Sequence, residues 1–210
     1  MALEIERRFL VAGEAWRPLV RWSAQLRQGY LVSGADGLTL RVRLRQGPAG
    51  TADASADNGA EEAWLTLKAL PPDGADALTR LEFEYPIPSA DGEALLALTE
   101  QQLSKWRHGL ALPGGDWVLD VFAGANAPLV VAEVELERAD QPLVVPPWCV
   151  REISGRHELS NAALALRPLA RWSEAERCSL FEGPSDRVDA RSLRASDGFL
   201  PHHCPQGSSS

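Results

Sequence analysis

The sequence predicts a mainly β fold of the α+β class: one antiparallel β-barrel with a few helices packed on its outside. Two observations lead there. Segment after segment alternates charged and apolar residues at a period of two, the pattern of strands with two chemically different faces. The composition, 45% hydrophobic and 24% charged over 210 residues, is that of an ordinary globular protein with one core.

The first alternating segment, residues 3 to 11, places Glu4, Glu6 and Arg8 on one face and Ile5 and Phe9 on the other. Residues 38 to 45 set Arg41, Arg43 and Arg45 against Leu40, Val42 and Leu44. Residues 63 to 69 set Trp64, Thr66 and Lys68 against Leu65 and Leu67, and residues 80 to 87 set Arg80, Glu82 and Glu84 against Leu81, Phe83 and Tyr85. Lys105 and Arg107 begin another strand, with Trp106 facing away. Residues 117 to 122 put Asp120 and Phe122 on one face. Residues 130 to 137 oppose Glu133, Glu135 and Glu137 to Val134 and Leu136, and a last short strand over 150 to 154 carries Glu152.

Helical spacing is read over residues 14 to 26, 92 to 103 and 161 to 172, with Pro88 and Ser89 as start signals for the second. Residues 47 to 59, rich in Gly, Ala, Ser and Asp, read as a flexible loop. Apolar periodicity fades beyond residue 173. The expected organisation is therefore one domain over 1–172 and a loosely ordered tail over 173–210.

Several function classes are disfavoured. A formal net charge of -8 argues against sequence-independent nucleic-acid binding, which needs a basic face to release counterions. The first residues lead into no long apolar run, so neither a signal peptide nor a membrane span is expected, and the reading is cytoplasmic. Cys149, Cys178 and Cys204 are odd in number and lack paired spacing, and are read as reduced thiols. His108, His157, His202 and His203 are read as surface or core residues rather than ligands. Trp16, Trp22, Trp106 and Trp172 are read as packing groups, whereas Trp64 shares its parity with Lys68.

One half-exposed strand with a wet charged face needs no explanation, but recurrence does. If every apolar face packs outward, the charged faces converge on one lumen. Glu4, Glu6, Glu82, Glu84, Asp120, Glu133 and Glu135 then meet Arg8, Arg41, Arg43, Lys68, Lys105 and Arg107. Burying so many ions is unfavourable without a ligand. Hard carboxylate oxygens suit Mg²⁺ or Mn²⁺, and guanidinium and ammonium groups donate charge-assisted hydrogen bonds to phosphate oxygens, so a metal-bridged oligophosphate satisfies both. The number of cations exceeds what a monophosphate of charge about -2 would neutralise, which points to a triphosphate.

The segment Glu4-Ile5-Glu6-Arg7-Arg8-Phe9-Leu10-Val11 resembles the Glu-x-Glu-x-Lys signature of the CYTH superfamily, the triphosphate tunnel metalloenzymes. The resemblance continues in order through Gln28-Gly29-Tyr30-Leu31, Arg41-Val42-Arg43, Leu65-Thr66-Leu67-Lys68, Glu82-Phe83-Glu84, Lys105-Trp106-Arg107, Leu119-Asp120-Val121-Phe122, Ala132-Glu133-Val134-Glu135 and Asn161-Ala162-Ala163-Leu164.

The resemblance implies an eight-stranded antiparallel tunnel, metal-dependent hydrolysis of inorganic triphosphate to pyrophosphate and phosphate, and Mg²⁺ or Mn²⁺ as cofactor. It places metal on Glu4, Glu6, Asp120, Glu133 and Glu135, and phosphate on Arg8, Arg41, Arg43, Lys68, Lys105 and Arg107. Glu4, Glu6 and Tyr30 carry the catalytic expectation, Tyr30 matching a position proposed as a proton acceptor, although an unperturbed phenol is a poor base at neutral pH. Glu82, Glu84 and Glu152 are supporting candidates. Arg8 stands where the signature has Lys, which keeps the charge and loses a compact ammonium. Relatives also include class IV adenylate cyclases and thiamine triphosphatases, and a non-catalytic sensor of triphosphate or polyphosphate is the reading from another class. Outer apolar patches leave room for a homodimer.

Overall fold

The computed structural model describes residues 2–34, 37–47, 61–70, 79–138 and 140–180, without the side chains of 2–4, 79 and 80. Most of the expected 47–59 loop and the tail from 181 onward, with His202, His203 and Cys204, lie outside the described residues.

The architecture is a nine-stranded antiparallel sheet with few helices. Its strands are β1 (Ala2–Val11), β2 (Val20–Ser33), β3 (Thr39–Gln46), β4 (Glu62–Ala69), β5 (Thr79–Ile87), β6 (Gln102–Leu110), β7 (Asp116–Phe122), β8 (Val130–Glu135) and β9 (Cys149–Glu152), in the order β5-β4-β3-β2-β6-β7-β8-β1-β9. Strand β1 has three partners: residues 2 to 5 pair with β5, 6 to 10 with β8, and 9 to 11 with β9. The β1–β5 pairing joins the far end of the order back to β1.

The apolar faces of β1, β3, β7 and β8 pack as the alternation requires, whereas Tyr85 of β5, expected on an apolar face, and Trp106 of β6, read as a packing group, are 60% and 46% exposed. Ile5, Phe9, Trp117, Leu119, Ala132 and Val134 form one buried cluster with Trp16 and Trp148. Val42, Leu44 and Ala63 form a second, covered by Leu96 of helix α1 (Ser89–Leu96). Burying each such side chain contributes about 1.5–3 kcal/mol relative to exposure.

The helical expectation over residues 14 to 26 is overturned. Only a single 3-10 turn forms, over Arg17–Leu19, where Pro18 is tolerated in a first turn. From Val20 the chain is strand, with Ala24, Leu26, Gln28 and Tyr30 buried at every second position. The apparent spacing of Trp16, Leu19 and Val20 reflects their packing on the first cluster, and pairing of β2 with β3 on one side and β6 on the other overrides local preference.

The second predicted helix starts as expected and ends early. Gln102 Nε2 donates to the carbonyls of Leu96 and Thr99 at 2.8 and 2.7 Å, satisfying acceptors at the helix end, and Leu103 already belongs to β6. The third, α2 (Asn161–Leu166), is capped by Ser160 and stops before Pro168, whose ring disfavours helical backbone at Arg167. A 3-10 turn, Leu169–Arg171, follows.

Contacts divide the chain into Met1–Arg171 and Trp172–Ser210. The described start of the second unit is ordered: α3 (Glu174–Ser179) carries a capping box in which Ser173 and Glu176 satisfy each other's backbone amides. Cys178 is disulfide-bonded, against the expectation of a reduced thiol, while Cys149 is free. Among the described residues no helix is long and apolar enough to cross a membrane.

Gly92 lets α1 approach β4, because an added Cβ would meet the Ala63 Cβ at 2.6 Å. Gly92→Ala is therefore expected to lower stability by about 1 kcal/mol in urea unfolding, although alanine is the better helix former.

Candidate active site

Residues directly opposite one another in an antiparallel pair project to the same face. The register therefore extends one face around the strands: Glu6↔Glu135 and Arg8↔Glu133 link β1 to β8, Arg107↔Asp120 links β6 to β7, and Tyr30↔Arg41 and Gln28↔Arg43 link β2 to β3. Arg41↔Thr66 and Arg43↔Trp64 carry it to β4, and Thr66↔Glu84 and Lys68↔Glu82 to β5. All the expected phosphate-binding cations share this face. Glu4 pairs with Arg80 at the backbone, while its carboxylate lies outside the described side chains.

The β1–β8–β7–β6 part is compensated by its own charges. Lys105 is fully buried, and its Nζ donates to Asp120 Oδ2 at 2.5 Å and to Asn161 Oδ1 at 3.1 Å. Arg107 grips Asp120 with two hydrogen bonds, 2.8 and 2.7 Å, and donates to Glu133 Oε2 at 2.5 Å. Arg8 Nε donates to Glu133 Oε1 at 3.1 Å, and its Nη2 to the Leu159 carbonyl at 3.1 Å. Burial disfavours ionisation of Glu133, but Arg107, Lys105 and Arg8 outweigh it and hold the carboxyl well below its usual range. Burial pulls the Lys105 ammonium down to about 8 despite Asp120.

The β3–β4–β5 part is compensated less well. Arg41 and Arg43 stand 3.5 Å from Glu84, and Arg41 3.7 Å from Glu82, too far for good hydrogen bonds. Lys68 lies 3.4 Å from Glu82. Arg41 Nη2 donates to Thr66 Oγ1 at 3.1 Å, and that hydroxyl donates to Glu84 at 2.7 Å. The Nε–H groups of Arg41 and Arg43 are buried with no acceptor among the described residues. Each such orphan donor costs about 1–3 kcal/mol. Burial and the neighbouring Arg41 charge pull the Arg43 guanidinium down to about 10, still protonated at neutral pH.

A cavity of about 540 Å³ opens on this part, lined by Glu6, Arg8, Tyr30, Arg41 and Lys68 and bounded by Gly34 and Gly37 between β2 and β3 and by the segment from Ser154 to Leu166. Helix α2 thus stands at the cavity, with Asn161 tied to Lys105, not on an outer apolar face as expected. Burial pushes the Tyr30 phenol up, with Arg41 and Arg43 only partly offsetting it. A second cavity of about 760 Å³ has Arg27, Glu100 and Arg171 as its charged lining groups, and Arg27 is already paired with Glu61 and Glu93.

Two expected site residues are engaged elsewhere. Both oxygens of Asp120 are taken by Lys105 and Arg107. Glu152 sits opposite Phe9, on the other face of β1, where it holds Arg7 at 2.6 and 2.9 Å and accepts from Ser154 at 2.7 Å. Glu82 and Glu84 stand beside the cations. The sequence assigns nothing to Arg156, marks Asn161 only as part of a family-like segment without a role, and sets His157 aside, yet all three line the cavity. They lie on a loop and at a helix start, where no two-residue alternation marks a face.

The donor chemistry suits a hard divalent cation: Glu6 and Glu135 are direct cross-strand neighbours, and Glu133 lies two residues from Glu135 on the same face. Among the described residues, no group of three or more His, Cys, Asp or Glu is gathered closely enough to hold a metal as it stands.

An antiparallel sheet with carboxylates and cations interleaved on one face defines a class of β protein with a charged site on its sheet. Residues 2–165 match the CYTH domain family, and the chain belongs to it. It is 37% identical over 171 residues to an inorganic triphosphatase of Nitrosomonas europaea, covering 78% of this chain and 97% of that protein. It is 30% identical over 176 residues to an inorganic triphosphatase of Acetivibrio thermocellus, covering 83% and 100%. The crystal structure of the inorganic triphosphatase NE1496 superposes with a TM-score of 0.50 at 33% identity, covering 79% of this chain and 96% of that one.

Asp120 neutralises two cations, whereas Lys105 can shed its proton. Asp120→Asn is therefore expected to cost roughly 3–5 kcal/mol in urea unfolding, and Lys105→Met clearly less.

Proposed function

We propose that this chain is a metal-dependent hydrolase of inorganic triphosphate, yielding pyrophosphate and phosphate, and that β1 to β8 close through the β1–β5 pairing into an eight-stranded tunnel that holds the substrate. The observation that carries the reading is the pair of buried, unpartnered Nε–H groups on Arg41 and its strand neighbour Arg43, with Arg41 lining a cavity that Arg8 and Lys68 also line. Donors held in place without acceptors suit a multiply charged oxyanion. The curated relatives named as inorganic triphosphatases support the same substrate.

Glu4, Glu6, Glu133 and Glu135 would hold Mg²⁺ or Mn²⁺, a Lewis acid that would supply positive charge to the phosphates and lower the pKa of a water. Asp120 is assigned a positioning role instead, fixing Lys105 and Arg107 on the wall of the site. Arg8, Arg41, Arg43, Lys68 and Arg107 bind phosphate oxygens and stabilise the charge that accumulates on the leaving pyrophosphate as the terminal P–O bond breaks. Tyr30 stays protonated at neutral pH, since burial raises its pKa, and orients the substrate as a hydrogen-bond donor. Lys105, fully buried and held by Asp120 and Asn161, supports the wall without touching substrate.

The test is phosphate release from inorganic triphosphate, ATP and thiamine triphosphate with Mg²⁺ or Mn²⁺, set against the same assay in chelator. Metal-dependent cleavage of triphosphate is expected, with Glu6→Gln and Arg41→Ala each losing roughly 100-fold or more in kcat/KM. Cyclic AMP and pyrophosphate from ATP would transfer the protein to the cyclases. Preference for thiamine triphosphate would transfer it to those phosphatases, and tight binding without turnover would make it a sensor.

A further inference from the structure

Arg156 follows β9 in the loop Ser154-Gly155-Arg156-His157 and lines the same cavity as Arg8, Arg41 and Lys68. Its Nε is satisfied by Glu158 Oε1 at 2.8 Å. Its Nη1, however, is buried with no hydrogen-bond partner among the described residues, the condition also found at Arg41 Nε and Arg43 Nε. Three guanidinium groups therefore each keep one nitrogen without an acceptor, and two of these residues, Arg41 and Arg156, line one cavity. The two approach it from different parts of the fold: Arg41 from the sheet, Arg156 from the loop that leads through a 3-10 turn (His157–Leu159) into α2.

We propose that Arg156 is a further substrate-binding residue, which donates through Nη1 to the phosphoryl group lying nearest the loop and so selects polyphosphates long enough to span from the sheet arginines to it. The inference rests on the triphosphatase reading and adds a length-reading element to it. Arg156 is suited to the role because it lines the cavity and Glu158 engages its guanidinium through Nε, while Nη1 makes no hydrogen bond within the described residues. An anion confined to the sheet arginines, such as pyrophosphate, gains nothing from it. A loop-borne residue also explains why the charged-face pattern did not mark it.

The experiment compares wild type, Arg156→Ala, Arg156→Lys and Glu158→Gln. It measures calorimetric affinity for inorganic triphosphate and for pyrophosphate in chelator, and KM and kcat for triphosphate with Mg²⁺. Arg156→Ala is expected to weaken triphosphate binding and raise KM by roughly 10- to 100-fold, with pyrophosphate affinity nearly unchanged, so that the ratio of the two affinities falls. Arg156→Lys recovers part of the loss, and Glu158→Gln, which leaves Nη1 in place, keeps most of the selectivity. Equal losses for both anions, or no loss, in Arg156→Ala would overturn the proposal. A wild-type protein that neither binds nor cleaves triphosphate would instead sink the triphosphatase reading itself.

Discussion

Buried charge must be met by opposite charge, and this protein meets that demand in two ways on one face of one sheet. On the β1, β8, β7 and β6 side the chain supplies both signs: Asp120 and Glu133 are shared among Lys105, Arg107 and Arg8 at 2.5–3.1 Å. On the β3, β4 and β5 side the carboxylates stand 3.5–3.7 Å from the guanidinium groups and leave N–H donors unused. In the first arrangement the chain's own charges already meet one another. The second leaves orphan donors at a standing cost, which the proposed oxyanion would remove.

That asymmetry explains why the same residue types do different work. Asp120 and Glu6 are both carboxylates on the charged face, yet Asp120 is sealed between two cations while Glu6 opens on the cavity opposite Glu135. Lys105 and Lys68 are both lysines, yet one is fully buried and the other lines the cavity. Spacing along a strand tells which face a side chain occupies. Depth on that face depends on neighbouring strands, which follow from topology.

Much of the fold was legible because alternation survives without knowledge of partners. Arg41-Val42-Arg43 and Glu133-Val134-Glu135 announce their faces locally, and the register then brings those faces together. Strand β2 was not legible because Gln28 and Gly29 break its apolar alternation, and because Trp16, Leu19 and Val20 imitate a helical stripe while packing on an outer cluster. Helix ends differ from expectation where a side chain beyond the helix meets its last carbonyls, as Gln102 does for α1. The short α3 carried a readable sign, the Ser173-x-x-Glu176 box, in a stretch where apolar periodicity was absent. Of the site, the sheet-borne cations were readable and the loop-borne Arg156 and the helix-borne Asn161 were not, since neither sits in a repeating pattern. Glu152 was misread because a bulge between Leu10 and Val11 and the short β9 place it opposite Phe9, on the apolar-parity face of β1.

On the proposed function, the sheet arginines are held at a cost that the ligand removes. The most direct test of this is the melting temperature of wild type and Arg43→Met, each measured with and without inorganic triphosphate. The account predicts that Arg43→Met melts higher than wild type when free, because a largely buried, under-partnered charge is gone, and that it loses most of the stabilisation triphosphate gives to wild type. A variant that melts lower when free and is still stabilised by triphosphate as strongly as wild type would contradict it.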